Sequence, residues 1–219
     1  MTFIESLEEL YGPELAQALI GPRELPLVPE IRLLLLHDDY PQDRLGAAAY
    51  HQLMASPPYW AFCWGGGQAM ARFLLDNPHY VSGKSVIDFG AGSGVAGIAA
   101  ALIGAKTVVG VDIDPIALQA SQANAQLNGV AMEVTEKLSN SPNDFVLAAD
   151  ICYEEEGMEW VLSHLRNEGQ LLVADSRIEQ LSQKLPGVRQ VFEMHIKTFP
   201  ELDEASCFEI VKLYATDEF

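Results

Sequence analysis

Short apolar segments and helical patterns alternate along the middle of the chain. Of these short segments, the first two are apolar almost throughout, which is typical of strands that are covered by helices on both faces of a sheet. In chain order they are SVIDF, TVVGVD, AMEVTE, DFVLAAD and QLLVADS. Helical spacing of apolar residues appears between them, as in VAGIAAALIG and from Pro115 to about Leu127. This alternation predicts an α/β domain built on a parallel sheet.

Two further strand-like segments follow the alternating part of the chain. They are RQVFEMHIKTF and ASCFEIVKLYAT, and the polar stretch PELDE joins them. A connection this short cannot make the crossover that parallel strands need, so these two strands are predicted to be antiparallel. The predicted sheet therefore has seven strands, which are parallel apart from an antiparallel C-terminal hairpin strand.

Residues 1 to about 55 have a different pattern, because prolines interrupt their apolar stretches. The interruptions are Gly12-Pro13, Gly21-Pro22, Pro26, Pro29 and Pro41. Since proline begins or ends helices, the pattern predicts several short helices. The predicted organisation is an N-terminal helical extension over residues 1–55, followed by one domain over residues 56–219.

A glycine-rich turn follows the first strand of the alternating part. In VIDFGAGSGVAG, Gly90, Gly92 and Gly94 leave bare backbone that a ligand can approach at the N-terminus of a helix. Asp112 ends the next strand, where its carboxylate can accept hydrogen bonds from both hydroxyls of a ribose. The turn and the carboxylate together predict a nucleoside cofactor.

Two features favour S-adenosylmethionine over NAD as that cofactor. Asp88 lies just before the glycines, where it can complement the ammonium group of a methionine moiety, whereas a pyrophosphate gains nothing from another negative charge. The antiparallel strands after the fifth strand also resemble the end of the sheet in class I methyltransferases. An NAD-binding oxidoreductase and a non-catalytic cofactor-binding module remain as alternatives from other classes of function.

Several segments resemble the electron transfer flavoprotein beta-subunit lysine methyltransferase family, whose bacterial members are often labelled predicted nicotinamide N-methylases. These segments are LVPEIRLLLL, PYWAFCWGGGQAMARFLLDNP, KSVIDFGAGSGVAGIAAALIGAKTVVGVDIDPIA and DFVLAADICYEEE. The resemblance covers about residues 25 to 160. It implies a Rossmann-like class I methyltransferase fold and an S-adenosylmethionine-dependent N-methyltransferase that acts on lysine side chains of a protein. A small-molecule N-methyltransferase acting on a nicotinamide-like ring is the alternative.

The resemblance also implies roles for individual residues. Trp64 and the turn Gly65–Gly67 are expected to form part of the wall of the cofactor site. Asp150 and Tyr153 match the D-x-x-Y signature that such lysine methyltransferases carry at the rim of the active site, and we expect them to orient the acceptor amine. Glu136 stands where many class I enzymes bind the adenine amino group.

Each of these assignments has an alternative or a departure from the family pattern. Asp150 could instead cap the helix that follows it, and Tyr153 could simply pack. The family usually has proline at the position of Gly65 and more often asparagine at the position of Glu136. The shape of the glycine segment and the contact with adenine are therefore open at this point.

The charge of the chain bears on its partners. The 31 acidic and 13 basic residues give a formal net charge of −18. Such a charge repels nucleic acid and attracts basic segments of proteins. The expected partner is a protein with exposed lysines, for which the resemblance suggests the electron transfer flavoprotein beta subunit or a ribosomal protein.

The remaining composition indicates a cytoplasmic protein without a metal. Three cysteines are far apart and show no metal-type spacing, and the five histidines form no spaced pair on a predicted helix. The N-terminal segment lacks the basic start and apolar run of a signal peptide. The apolar stretches are also shorter than the roughly twenty residues of a membrane span.

Overall fold

The computed structural model describes residues 3–11, 16, 20–37, 57–137, 144–178, 181–202 and 205–216. Within these residues the chain forms a seven-stranded sheet and a separate two-stranded sheet. None of the helices in these ranges is long and apolar enough to cross a membrane.

The N-terminal segment contains one helix and one pair of strands. Helix α1 (Phe3–Tyr11) agrees with the prediction of helices. Strands β1 (Ile20–Glu24) and β2 (Arg32–Leu36) pair in antiparallel fashion, so the expected helices over this part of the extension are wrong. In β2 the side chains of Leu33 and Leu35 are buried and alternate with more exposed neighbours, which is the period of a strand.

The predicted domain boundary at residues 55 and 56 stays a prediction, since residue 56 lies outside the described residues. The same holds for the helices expected between residues 38 and 55, because this whole segment is outside the described part of the chain.

The large sheet has the predicted class of architecture. Its strands are β3 (Ser85–Phe89), β4 (Thr107–Val111), β5 (Glu133–Thr135), β6 (Phe145–Ala149), β7 (Gln170–Asp175), β8 (Val188–His195) and β9 (Ile210–Thr216). They lie in the order β5-β4-β3-β6-β7-β9-β8. Strands β3 to β7 pair in parallel, and β9 is antiparallel to both β7 and β8. The prediction of a parallel sheet closed by an antiparallel hairpin strand is confirmed.

Helices cover both faces of this sheet. They are α2 (Gly65–Asp76), α3 (Val95–Leu102), α4 (Pro115–Leu127), α5 (Glu155–Arg166) and α6 (Leu181–Lys184). Strand residues such as Leu147 and Leu172 pack with α2 and α3 in one buried cluster. Their neighbours Val146 and Leu171 pack with residues of α5 and α6 in the cluster on the opposite face. Burial of both faces explains why these strands have nearly continuous apolar sequences.

Helix α4 joins the N-terminal strands to the glycine-rich turn. The side chain of Asn124 is fully buried, and its Oδ1 accepts a hydrogen bond from the backbone N–H of Leu34 at 2.6 Å. Its Nδ2 donates to the carbonyl of Ser93 at 2.8 Å. One amide therefore connects β2 to the turn that precedes α3.

Four aspartates lie at the carboxyl ends of the central parallel strands. Asp88 is the penultimate residue of β3, Asp112 and Asp150 directly follow β4 and β6, and Asp175 ends β7. Parallel strands end at the same edge of a sheet, and ligands of open α/β sheets bind beyond that edge. The fold therefore places these carboxyl groups around a single candidate site.

Candidate active site

The glycine-rich turn has a backbone conformation that requires glycine. Gly90, Gly92 and Gly94 have φ angles of 72°, 52° and 79°, in the left-handed region that other residues rarely adopt. A Cβ atom at Gly94 would also come within 2.8 Å of the Ser121 Cβ. A Cβ atom at Gly90 would collide with the side chain of Ile151. The turn therefore presents bare backbone and lies against the loop after β6.

Asp112 holds this turn from the neighbouring strand. Its Oδ2 accepts a hydrogen bond from the N–H of Gly92 at 2.8 Å, and its Oδ1 accepts one from the N–H of Asp114 at 3.0 Å. Burial raises the pKa of the Asp112 carboxyl. Each carboxylate oxygen can accept a second hydrogen bond, so Asp112 can still bind hydroxyl groups of a ligand.

Asp88 lies beneath the turn and not on its open side. Its side chain is 3% exposed, and its Oδ2 accepts a hydrogen bond from the N–H of Gly97 at 2.9 Å. Gly97 belongs to the first turn of α3, whose N-cap residue Gly94 has no side chain that could cap the helix. Asp88 therefore caps α3 from the strand. Burial raises the pKa of the Asp88 carboxyl to about 7.

Asp150 caps a second helix in the same way. Its Oδ2 accepts a hydrogen bond from the N–H of Gly66 at 2.8 Å. Gly66 lies in the first turn of α2, whose N-cap residue Trp64 makes no capping hydrogen bond with its own side chain. Burial and the nearby Asp175 raise the pKa of Asp150 to about 7, whereas Arg177 and the backbone donors oppose this rise. The alternative considered from the sequence was that Asp150 caps the helix that follows it. The hydrogen bond in the structure is instead to α2, which precedes Asp150 in the chain.

The expected turn at Gly65–Gly67 is the beginning of α2. Glycine has a low helix propensity, so the sequence predicted a turn. The structure explains the glycine in the middle, because a Cβ atom at Gly66 would lie 2.5 Å from the Asp150 Oδ2. Gly65 is the first residue of the helix, a position that also tolerates the proline usual in the family.

Tyr153 and Trp64 lie at the rim of the site. The side chain of Tyr153 is 51% exposed. Trp64 is partly buried, and its Nε1 donates a hydrogen bond to the carbonyl of Tyr59 at 2.9 Å. Asp150 and Tyr153 flank Ile151, which packs against Gly90 of the glycine-rich turn. The structure thus brings the predicted cofactor turn and the predicted acceptor residues together.

Glu136 is exposed and directly follows β5. The backbone carbonyl of the preceding residue, Thr135, accepts a hydrogen bond from the N–H of Asp112 at 3.4 Å. Glu136 therefore lies on the same edge of the sheet as the other candidate residues. Its contact with adenine stays a prediction.

The sequence alone did not reveal three residues of this edge, namely Ile113, Asp175 and Arg177. Ile113 is 87% exposed beside Asp112, as an apolar side chain at a ligand site can be. Asp175 is 3% exposed, and its Oδ1 accepts hydrogen bonds from the N–H groups of Arg177 at 2.7 Å and Ile178 at 2.8 Å. The recurrence of aspartate at strand ends could have revealed Asp175. Arg177 could not have been found in this way, because a single arginine after a strand is not a recognisable pattern.

Comparison with known proteins identifies the family. Residues 69–173 match the family model described as Ribosomal protein L11 methyltransferase (PrmA). The chain is 36% identical over 186 residues to the Electron transfer flavoprotein beta subunit lysine methyltransferase of Mus musculus, a match that covers 80% of this chain and 71% of the mouse protein. The chain belongs to the electron transfer flavoprotein beta subunit lysine methyltransferase family. The resemblance found in the sequence is thus confirmed.

A second relative agrees with this family, and a solved structure agrees with the fold. The Homo sapiens protein of the same name is 40% identical over 135 residues, which cover 59% of this chain and 50% of the human protein. Magnesium protoporphyrin IX methyltransferase (ChlM) from Synechocystis PCC 6803, solved with bound SAM, has a TM-score of 0.52 and 18% sequence identity, covering 70% of this chain and 80% of that chain. At this identity the likeness shows the fold alone. Family and fold together make the protein a class I S-adenosylmethionine-dependent methyltransferase, as predicted, and not a dehydrogenase.

Replacing Gly66 by alanine tests the contact between Asp150 and α2. We expect Gly66→Ala to lower the free energy of unfolding by about 2 kcal/mol, because the new methyl group displaces a buried carboxylate from its backbone donor. In Gly65→Ala the nearest atoms lie 3.3 Å from the added Cβ, so a small shift suffices and the loss should be smaller. Urea denaturation measures both values. Equal losses in the two variants would contradict the proposed difference.

The buried carboxyl of Asp88 gives a pH-dependent contribution to stability. Its pKa of about 7 in the folded protein lies above the unfolded value of about 3.9. The folded state therefore binds more protons between these values, and this contribution falls as the pH rises from about 4 to 7. Asp88→Asn cannot ionise, so its free energy of unfolding should decrease less between pH 5 and pH 8 than that of the wild type.

Urea unfolding of the ligand-free protein at both pH values measures this difference. The exposed Glu156 provides the control, since Glu156→Gln removes a carboxylate that is not buried. Its pH dependence should match that of the wild type. Parallel curves for wild type and Asp88→Asn would show that Asp88 does not contribute in this way.

Proposed function

We propose that this methyltransferase transfers a methyl group from S-adenosylmethionine to lysine side chains of a protein substrate. The observation that carries the proposal is the contact between two loops: Ile151, between Asp150 and Tyr153, packs against Gly90 of the glycine-rich turn. In this proposal the acceptor residues lie beside the cofactor site. The names of the mouse and human relatives, which are lysine methyltransferases, support the choice of acceptor.

The residues around the glycine-rich turn fit the proposed cofactor. Bare backbone at Gly90, Gly92 and Gly94 leaves room for it, and Asp112 has acceptor capacity for the ribose hydroxyls. The exposed Ile113 can cover one face of the adenine, and Glu136 can accept a hydrogen bond from its amino group.

Two further residues complete the proposed cofactor site. Trp64 closes the wall on the α2 side, where its indole is only partly buried. The carboxyl of Asp88 is buried beneath the turn and bonded to α3, so it cannot contact the cofactor directly. In the proposal it instead attracts the positive charges of the cofactor from a distance. When bound, the cofactor supplies an electrophilic methyl group on a positively charged sulfur.

The acceptor side of the site has to position an amine. A methyl transfer of this kind needs no nucleophile on the enzyme, so orientation of the amine supplies much of the acceleration. The lysine must be neutral when it reacts, although its usual pKa is about 10.4. Asp150 has a pKa of about 7 and lies at the base of this region. In the proposal, Asp150 and the Tyr153 hydroxyl orient the amine from two sides.

The surface around Tyr153 suits a basic protein segment. Glu154, Glu155 and Glu156 follow Tyr153 directly, and all three are exposed. Together with the net charge of −18, they favour approach of positively charged segments. Candidate substrates are the electron transfer flavoprotein beta subunit, which the names of the relatives include, and ribosomal proteins, which the name of the matching family includes.

A labelling experiment tests the proposed substrate class. The purified enzyme is incubated with S-adenosylmethionine carrying a labelled methyl group and with lysate of its own cells. We expect the label in the protein fraction, and after acid hydrolysis in methylated lysine. Label in soluble small molecules would instead support the nicotinamide-like acceptor and contradict the proposal.

The control for this experiment is Asp112→Ala, which should weaken binding of S-adenosylhomocysteine by about tenfold or more through loss of hydrogen bonds to a charged group. Its labelling should fall in proportion. Thermal stabilisation of the wild type by S-adenosylhomocysteine, but not by NAD, checks the cofactor separately, since a ligand stabilises the state that binds it.

Substitution of the acceptor residues tests their roles. Tyr153→Phe removes one exposed hydroxyl, so kcat should fall about tenfold or more while affinity for S-adenosylhomocysteine stays the same. Asp150→Ala should lower kcat and also destabilise the protein by about 1–2 kcal/mol, because it removes the cap of α2. Glu159→Gln provides a matched control, because Glu159 is exposed in helix α5 and has no role in the proposed site. Unchanged turnover in both variants would remove Asp150 and Tyr153 from the mechanism.

A further inference from the structure

Three aromatic rings surround the guanidinium group of Arg177. Its Cζ lies 5.3 Å from the ring centroid of Trp64, 5.7 Å from that of Tyr153 and 5.4 Å from that of Phe208. These distances are within the range of cation–π attraction. The rings come from three separate parts of the chain, namely the start of α2, the loop after β6 and the 3-10 turn Ser206–Glu209 before β9. The chain thus builds a cluster of rings around a cation.

The cluster opens to the surface. Tyr153 is 51% exposed and Phe208 is 38% exposed, although large aromatic side chains are usually more deeply buried. The side chain of Arg177 is itself 24% exposed. A cation from outside the chain can therefore reach the same rings.

Two carboxyl groups lie close to Arg177, namely those of Asp150 and Asp175. Asp150 Oδ1 is 3.8 Å from a guanidinium nitrogen of Arg177. Asp175 is 3% exposed, and its buried Oδ2 has no hydrogen-bond partner among the described residues. A buried carboxylate oxygen without a donor costs free energy. This second observation indicates that the region can take a further donor.

We propose that Trp64, Tyr153 and Phe208 form a cage that first receives the acceptor lysine as an ammonium, before it loses the proton and reacts, and that Arg177 occupies this cage when no substrate is bound. The inference rests on the proposed function, because it names the subsite that receives the lysine. Asp175 holds the backbone N–H of Arg177, so the guanidinium can leave the rings while the turn keeps its place. Arg177 is then an internal competitor of the substrate and a determinant of its affinity.

Binding of n-butylammonium, which reproduces the end of a lysine side chain, tests the cage in the ligand-free protein. NMR titration gives its dissociation constant for the wild type and for Arg177→Gln and Arg177→Met. Both variants remove the competing cation, so we expect the probe to bind about tenfold more tightly in each. Adding Phe208→Leu to Arg177→Gln should abolish most of this gain, because one ring is lost.

Matched controls separate the cage from general charge effects. Arg189→Gln removes one positive charge from exposed strand β8 and should leave the affinity unchanged. Arg177→Lys keeps a cation and should also resemble the wild type. The neutral probe n-pentanol should not distinguish the wild type from Arg177→Gln. Stabilisation by S-adenosylhomocysteine should be the same in every variant, which verifies that each is folded.

An unchanged or weaker affinity for n-butylammonium in both Arg177→Gln and Arg177→Met would overturn the cage, as would an equal gain for n-pentanol. If the tighter binding of n-butylammonium in Arg177→Gln persisted after Phe208→Leu was added, the rings would have no role in binding the cation. These results are independent of the proposed function, since they are measured without cofactor or protein substrate. Failure of the lysine methyltransferase proposal would appear only in the labelling of lysate proteins.

Discussion

Backbone N–H groups at the carboxyl edge of the sheet are held by strand-end carboxylates, and the geometry of the candidate active site depends on these hydrogen bonds. Asp88 accepts from α3, Asp150 from α2, Asp112 from the glycine-rich turn and Asp175 from the turn that carries Arg177. Helix N-termini and tight turns have donors that no intrahelical acceptor can satisfy. Each aspartate satisfies such donors and at the same time fixes a loop relative to the sheet.

These contacts also determine the electrostatic character of the site. Burial raises the pKa of the carboxyl groups of Asp88, Asp112, Asp150 and Asp175. Four such groups in one region make it costly to ionise all of them together, unless a cation is present. A positively charged sulfur, an ammonium group or a guanidinium group would each reduce this cost. A dinucleotide with its pyrophosphate would increase it, in agreement with the methyltransferase family.

Much of this arrangement could be predicted from the sequence, and the reasons are physical. Strands buried on two faces have continuous apolar sequences, and the glycines between β3 and α3 are needed for their positive φ angles. Local patterns failed where distant contacts decide the structure. The glycines at Gly65–Gly67 form a helix because the first turn is capped by Asp150, far away in sequence. Strand β2 pairs with β1 although the prolines around it indicated short helices.

Asp150 caps helix α2 and is also a proposed acceptor residue, so a substitution at this position affects both roles. A shorter or longer side chain at this position would release α2, and even a methyl group at Gly66 would collide with the carboxylate. The side chains of Tyr153 and Phe208 are exposed, so substitutions there should disturb the fold less than substitutions of Asp150. An attempt to engineer this enzyme for a different acceptor should therefore change these exposed aromatic residues and keep Asp150.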